Sequence, residues 1–258
     1  MRYGSSITAL VSLSVALTAC DSDATEPGRR SPSNEPLEVI EASGDLTAAL
    51  AGFQAAIGDP VNGGGAGPQP AGRREIRWDG VPPERTNTDD FPIDFFNVTV
   101  ASGLITTTDG TGFRVSDNDF GDLNQDYADE FESFSKVRTF MSVGSQRMTV
   151  TFRVPGTDTP GLVNGFGIVF SDIDRDGAAY ITLYAADGTN LGEYVAPVRS
   201  DAAGHSFVGA VYDRPLVARV EVVSGEAALA AVTDDVTDGG AHDLVITDDF
   251  IYGEPQPE

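Results

Sequence analysis

The segment Met148-Thr-Val-Thr-Phe-Arg-Val154 alternates apolar and polar residues without interruption. Successive side chains of a β-strand point to opposite faces, so the apolar residues of this segment share one face and its threonines and arginine share the other. The pattern predicts a strand with one face in a hydrophobic core.

Further short strands are predicted on both sides of this segment, separated by Gly, Pro, Asp and Asn. They are Arg74–Trp78, Gly112–Val115, Phe166–Phe170, Tyr180–Tyr184, Ser206–Val211, Val217–Val223 and Leu244–Tyr252. Asp187-Gly188, after Tyr180–Tyr184, is typical of a hairpin turn. So many short strands indicate an all-β fold, and we expect a jelly-roll-like β-sandwich.

One helix is predicted before the strands. Its apolar residues recur at spacings of three and four: Leu46, Ala49, Leu50, Phe53 and Ile57. Ser43 or Asp45 could cap its first turn, and Gly58 would end it. We expect the apolar stripe of this helix to pack against the sheet.

The N-terminus has the features of an export signal. Arg2 precedes a short apolar stretch, Ile7–Leu17, and Leu17-Thr-Ala-Cys20 follows with the only cysteine of the chain. This spelling resembles the lipobox of bacterial lipoproteins, which implies acylation of Cys20 and a lipid anchor in the membrane. The alternative is an ordinary secretory peptide with a chance cysteine.

This interpretation divides the chain into a signal peptide at 1–19, a disordered tether at 20–36 and the β-sandwich with its N-terminal helix at 37–258. The tether is polar and rich in Pro and Ser, so it cannot bury enough apolar surface to fold. We expect an extracytoplasmic protein of the cell envelope, with the choice of membrane open.

Composition narrows the function classes. Sixteen Lys and Arg against 40 Asp and Glu give a formal net charge of -24, which disfavours binding to nucleic acid. The chain lacks the sequence motifs of hydrolases, zinc proteases and nucleotide-binding enzymes, and its only histidines are His205 and His242. A histidine-dependent hydrolase is therefore disfavoured.

Three residues are candidates for ligand binding. Trp78 could be a platform on which a sugar stacks, although a single Trp on a strand is more often part of the core. Arg74 and Arg77 are unusual in so acidic a chain; they could hold an acidic ligand or pair with carboxylates.

Asp172-Ile-Asp-Arg-Asp-Gly177 suggests a calcium site, because Asp172, Asp174 and Asp176 alternate before a glycine. An EF-hand is excluded, since its twelfth position is Leu183 and not Glu. The alternative is a plain turn between two strands. A second candidate calcium site combines carboxylates from distant strands: Asp248, Asp249, Glu75 and Asp79.

The segment Asp117–Glu132 crowds carboxylates with aromatic residues. It could be a loop ordered by a metal or ligand, or a solvated loop anchored by its aromatic side chains. Carboxylate pairs suited to glycoside hydrolysis are too numerous for the sequence to select one.

Several blocks resemble those of an uncharacterised family of secreted bacterial proteins: Gly72–Pro82, Asp94–Asn97, Gly110–Ser116, Gly165–Phe170 and Asp248–Pro255. Asp248-Asp-Phe-Ile251 also resembles the last strand of carbohydrate-binding jelly rolls, which implies a structural calcium. We expect a non-enzymatic binding or adhesion module for a glycan or another extracellular ligand. The alternatives are a glycan-active enzyme with an Asp/Glu pair and a structural envelope protein.

Overall fold

The computed structural model describes residues 34–199, 201, 204–229 and 234–258. The strands in this part are β1 (Glu38–Ser43), β2 (Arg73–Ile76), β3 (Leu104–Thr107), β4 (Gly112–Ser116), β5 (Thr139–Val143), β6 (Arg147–Phe152), β7 (Gly161–Leu162), β8 (Gly165–Ser171), β9 (Ala179–Tyr184), β10 (Asn190–Val195), β11 (His205–Val211), β12 (Arg219–Ser224), β13 (Ile246–Gly253) and β14 (Gln256–Pro257). The helices are α1 (Thr47–Ile57), α2 (Phe95–Val98) and α3 (Tyr127–Glu130), with a 3-10 turn at Pro83–Arg85. None of these described helices is long and apolar enough to cross a membrane.

The strands form two main antiparallel sheets that pack face to face. The seven-stranded sheet runs β1-β11-β8-β13-β5-β4, with β2 also paired to β13. The five-stranded sheet runs β10-β9-β12-β6-β3, and β14 pairs with β7 in a small third sheet. The predicted hairpin is present as the antiparallel pair β9 and β10. The expected all-β sandwich with little helix is therefore confirmed.

The core lies between the two sheets. In β6, Met148, Val150 and Phe152 are at most 2% exposed, whereas Thr149 and Thr151 point to the opposite face and are partly exposed. The neighbouring strand β12 repeats this pattern, with Val220 and Val222 buried. The alternation that indicated the fold thus separates the core face from the outer face of the five-stranded sheet.

Trp78 belongs to the core and not to a strand. The strand was predicted to run from Arg74 to Trp78, but β2 ends at Ile76. Trp78 lies beyond it in a left-handed conformation with φ 53°. Its side chain is 1% exposed and its ring stacks on Phe140 with centroids 3.8 Å apart. The indole N–H donates a hydrogen bond to the carbonyl oxygen of Asp248 at 2.8 Å. The ring is therefore not available as a platform for a sugar.

Helix α1 packs on the face of the seven-stranded sheet that points away from the five-stranded sheet. The side chain of Asp45 accepts a hydrogen bond from the backbone of Thr47 at 3.0 Å, and Gly58 ends the helix with φ 115°. Phe53 lies against the backbones of Gly167 and Gly209, which face each other in register on β8 and β11. A Cβ at Gly209 would lie 2.5 Å from the Phe53 ring, so glycine is required for this approach.

Candidate functional site

Four carboxylates from distant parts of the chain meet in one group, which we call the acidic cluster. Glu130, Asp172, Asp174 and Asp235 each offer one oxygen, and these oxygens all lie within 4.8 Å of one another. Asp174 is partly exposed and the other three are buried. This arrangement could hold a metal ion.

Three segments of the fold position the acidic cluster. Glu130 is the last residue of α3, and Asp235 lies between β12 and β13. Asp172 and Asp174 directly follow β8, a strand in which every residue is buried. Asp172 has φ 65°, and its backbone N–H donates to the carbonyl oxygen of Gly204 at 2.8 Å. The rigid end of a central strand thus fixes two of the carboxylates.

Asp172 is the most unusual member of the acidic cluster. It is 0% exposed, and no N–H or hydroxyl group among the described residues donates a hydrogen bond to either of its carboxylate oxygens. Burial raises the pKa of Asp172 far above its ordinary value, and the adjacent carboxylates of Glu130, Asp174 and Asp235 raise it further. A buried carboxylate is costly unless it is protonated or paired with a positive charge. A cation bound here would supply the missing partner.

Neighbouring groups orient Glu130 and Asp235. The hydroxyl oxygen of Thr237 lies 2.6 Å from Glu130 Oε1 and 3.0 Å from Asp235 Oδ2. The backbone N–H of Leu244 donates to Asp235 Oδ1 at 2.6 Å. These contacts hold the carboxylates in place, as the groups that surround metal ligands commonly do.

Asp243 places a fifth buried carboxylate beside the acidic cluster. Its Oδ2 accepts backbone hydrogen bonds from Asp174 at 3.0 Å and Arg175 at 2.6 Å, while its Oδ1 has no partner among the described residues. Burial raises the pKa of Asp243 to about 7, and the charges of Asp235 and Asp174 contribute to the increase. Asp243 therefore ties the loop after β8 to the segment before β13 and adds negative charge.

The donor set of the acidic cluster consists of carboxylate oxygens, with neither histidine nor cysteine. Such a set suits hard divalent cations and not zinc or copper. Oxygens bound to one calcium ion at about 2.3 to 2.6 Å lie at most about 5 Å from each other. The 4.8 Å spacing of the acidic cluster meets this condition.

An open cleft of about 530 Å³ adjoins the acidic cluster. Its lining residues are Asp126, Asp129, Glu130, Asp234, Thr237 and Asp238. Glu130 and its partner Thr237 thus contribute to both the cleft and the acidic cluster. A cation could approach the acidic cluster through this strongly negative cleft.

The first predicted calcium site is partly assembled. Asp172 and Asp174 belong to the acidic cluster, but Asp176 is exposed and lies outside it. Asp176 and Gly177 form the turn that leads into β9, and Gly177 has φ 80°. The local backbone is therefore a turn, as the alternative interpretation expected. The side chains of Asp172 and Asp174, however, lie beside Glu130 and Asp235 and not beside Asp176. Sequence reasoning missed Glu130 and Asp235. Glu130 lies in the acidic run Asp117–Glu132, which gave a general signal, whereas no sequence feature indicated Asp235.

The second predicted calcium site is not assembled as a metal site in the described residues. Asp248 and Asp249 form a buried pair in β13, and burial raises the pKa of both carboxyl groups. Protein donors occupy this pair. Phe134 N–H donates to Asp248 at 2.6 Å, and the Ser135 hydroxyl donates to Asp249 at 2.6 Å.

The other two proposed ligands of that site also have protein partners. Glu75 binds Arg73 at 2.8 Å and Arg77 at 2.5 Å. Asp79 accepts a hydrogen bond from the backbone N–H of Val137 at 3.3 Å. Arginine side chains, backbone N–H groups and a serine hydroxyl therefore satisfy the four carboxylates of this predicted site, and none of the four belongs to the acidic cluster.

Arg74 does not face a ligand. It is 1% exposed, and its guanidinium binds both oxygens of Glu254, at 2.6 and 2.7 Å. It also donates to the carbonyl oxygens of Ala101, at 2.9 Å, and Gly63. Arg77 is exposed and is paired with Glu75. The arginines of this region therefore pair with carboxylates.

Cys20, the predicted lipidation site, lies outside the described residues.

Comparison with known proteins finds no match. No family model matches this chain, and no curated protein and no solved structure shows significant similarity to it.

Proposed function

We propose that this chain is a calcium-binding, non-enzymatic β-sandwich module of the cell envelope. One observation carries the calcium site: Asp172 is fully buried, accepts no hydrogen bond from an N–H or hydroxyl group of the described residues and lies against three further carboxylates. Without a cation these groups repel one another, so the folded chain has to retain protons on them. Calcium would replace those protons.

Calcium is favoured over magnesium by the number of carboxylates. Calcium accepts six to eight oxygen ligands in flexible geometry and tolerates bidentate carboxylates. Magnesium requires a near-ideal octahedron, retains several waters and usually binds only one or two carboxylates. A cluster with four carboxylates, three of them buried, fits calcium better.

The test compares thermal unfolding of the full chain in millimolar calcium and in chelator. Wild-type protein is expected to unfold at a higher temperature with calcium, because an ion at one hundred times its Kd stabilises the fold by about 2.7 kcal/mol. Asp172→Asn keeps the size of the side chain and removes its charge. This variant should lose the calcium-induced increase and should be at least as stable as wild type in chelator.

Asp176→Asn is the matched control, because Asp176 is an exposed aspartate of the same loop outside the acidic cluster. It should respond to calcium as wild type does. Equal unfolding temperatures of wild type in calcium and in chelator would contradict the calcium site, provided that elemental analysis shows the chelated sample to be metal-free.

The proposed cellular location is based on the N-terminal sequence. We propose that Cys20 carries the lipid and that residues 20–36 tether the sandwich outside the cytoplasm. Two or more acyl chains make attachment to the membrane lasting. The lipobox-like spelling of Leu17-Thr-Ala-Cys20 supports this proposal.

The ligand we propose for the module is an extracellular glycan, and nucleic acid is disfavoured by the net charge of -24. The alternative is a glycan-active enzyme with an Asp/Glu pair. The cleft beside the acidic cluster holds several carboxylates, but no aromatic side chain is among its described lining residues. Binding without catalysis is therefore preferred.

A further inference from the structure

The outer face of the five-stranded sheet carries three rows of side chains that cross neighbouring strands in register. The first row is Arg147, Val223, Tyr180 and Val195; the second is Thr107, Thr149, Glu221, Thr182 and Glu193; the third is Ile105, Thr151, Arg219 and Tyr184. Hydroxyls, tyrosine rings and a few charges therefore share one surface.

Two clefts meet on this face. The first has a volume of about 430 Å³, and its lining includes Thr107, Asp109, Arg147, Thr149, Glu221 and Val223. The second has a volume of about 350 Å³, and its lining includes Arg147, Asp176, Tyr180, Val223 and Glu226. Arg147 and Val223 line both, so the clefts adjoin at these two residues, and we call the two together the outer groove.

Two side chains of the outer groove have no partner in the part of the chain that the structure describes. The guanidinium of Arg147 is exposed and takes part in no ion pair or hydrogen bond. Tyr180 is partly exposed, with neither a hydrogen bond from its hydroxyl nor a stacked ring. By contrast, Arg219 and Tyr184 in the third row contact each other, and Arg219 also pairs with Glu221.

The outer groove is nearly balanced in charge, although the chain as a whole carries -24. In the first cleft, Arg147 offsets Asp109, and Arg219, beside the cleft, pairs with Glu221. In the second, Arg175, also beside the cleft, pairs with Glu226 at 2.5 Å, and Asp176 remains as one carboxylate without a described ion pair. Such a surface does not attract cations as strongly as the carboxylate-lined cleft beside the acidic cluster. It also lacks the concentrated positive charge that binding of a polyanion requires.

We propose that the outer groove binds an uncharged oligosaccharide. Sugar hydroxyls both donate and accept hydrogen bonds, and the groove offers acceptors on Asp109 and Glu221, a donor on Arg147 and threonine hydroxyls that do both. The ring of Tyr180 can pack on the C–H face of a sugar while its hydroxyl stays polar. This assignment rests on the proposed binding module but not on the calcium site.

The test titrates the calcium-loaded full chain with cellohexaose, xylohexaose and hexa-N-acetylchitohexaose, with polygalacturonate as the anionic probe. At least one neutral hexasaccharide should bind at millimolar concentration or below. Tyr180→Ala and Arg147→Gln should each weaken that binding about tenfold, a loss of about 1.4 kcal/mol. Neither substitution removes a described hydrogen bond or ion pair, so both variants should still fold and should unfold well above the temperature of the titration.

Arg85→Gln is the control, because Arg85 is a partly exposed arginine outside the groove, near Asp90 at 3.9 Å. It should bind the oligosaccharide as wild type does. No binding of any neutral hexasaccharide, binding of polygalacturonate alone, or unchanged binding in both groove variants would overturn the proposal. Repeating the titration in chelator separates the two proposals. Weaker binding in Tyr180→Ala and Arg147→Gln supports the groove even if calcium does not bind, and a calcium-induced increase in unfolding temperature supports the calcium site even if no oligosaccharide binds.

Discussion

At the scale of single residues, Asp248 offers a test of how a buried carboxyl group controls stability. Burial raises its pKa far above the ordinary value, and the neighbouring charge of Asp249 adds to the shift. The unfolded chain releases this proton near pH 4, whereas the folded chain retains it. The free energy of unfolding should therefore fall as the pH rises above about 4, by up to about 1.4 kcal/mol per pH unit.

Asp248→Asn removes the titrating proton and keeps an oxygen that can accept the hydrogen bond from Phe134 N–H. We expect a shallower decline of unfolding free energy between about pH 5 and about pH 8, measured by denaturant titration in chelator. Asp158→Asn, at an exposed position, should follow the wild-type curve. A variant at Asp248 whose curve runs parallel to wild type would show that this carboxyl does not stay protonated.

The residues of the acidic cluster show what local sequence could predict. Asp172 and Asp174 stand two positions apart in one loop, so their type and spacing indicated a cation. Glu130 comes from α3 and Asp235 from the segment before β13, and they meet the two aspartates only because these segments converge at the end of β8. No spacing in the sequence encodes that convergence, since it depends on tertiary packing.

At the scale of elements, the contact between α1 and the seven-stranded sheet gives a stability prediction. Gly209→Ala would bring a Cβ to 2.5 Å from the Phe53 ring. Overpacking of this kind costs about 1 to 3 kcal/mol, so the unfolding temperature should fall by several degrees. Phe53→Leu should reduce that cost, because the smaller side chain leaves room for the methyl group.

A double-mutant cycle measures this coupling by thermal unfolding of the two single variants and the double variant. Additive losses would contradict a direct contact between residue 209 and residue 53. Gly80→Ala is the control, because a Cβ there would meet no atom within 4 Å. It should leave the unfolding temperature near that of wild type.

The strands differ in how well the sequence predicts them. β6 was predicted because one face is buried and the other is exposed, so its residues alternate. β5 was missed, since Thr139–Val143 is buried along nearly its whole length and shows no alternation. β1 was also missed; Glu38–Ser43 is a largely exposed edge strand, and its pairing with β11 bridges a long stretch of chain.

At the scale of the whole molecule, the proposed anchor determines where the sandwich is found. Cys20→Ser removes the sulfur that would carry the lipid. After cell fractionation we therefore expect the protein either in the soluble fraction or as the uncleaved precursor. Ser22→Ala, just beyond the cysteine, should remain with the membranes as wild type does. If correctly cleaved Cys20→Ser protein stayed in the membrane fraction to the same extent, the lipid anchor would have to be abandoned.

The facing glycines under α1 also have a consequence for divergence. Gly167 and Gly209 touch across two strands, and both lie under the ring of Phe53, so these three positions cannot change independently. A descendant that acquires a larger residue on either strand should carry a smaller one on the helix. Distant relatives of this chain should therefore be recognisable by this three-way size compensation even where their surfaces and loops have lost all resemblance.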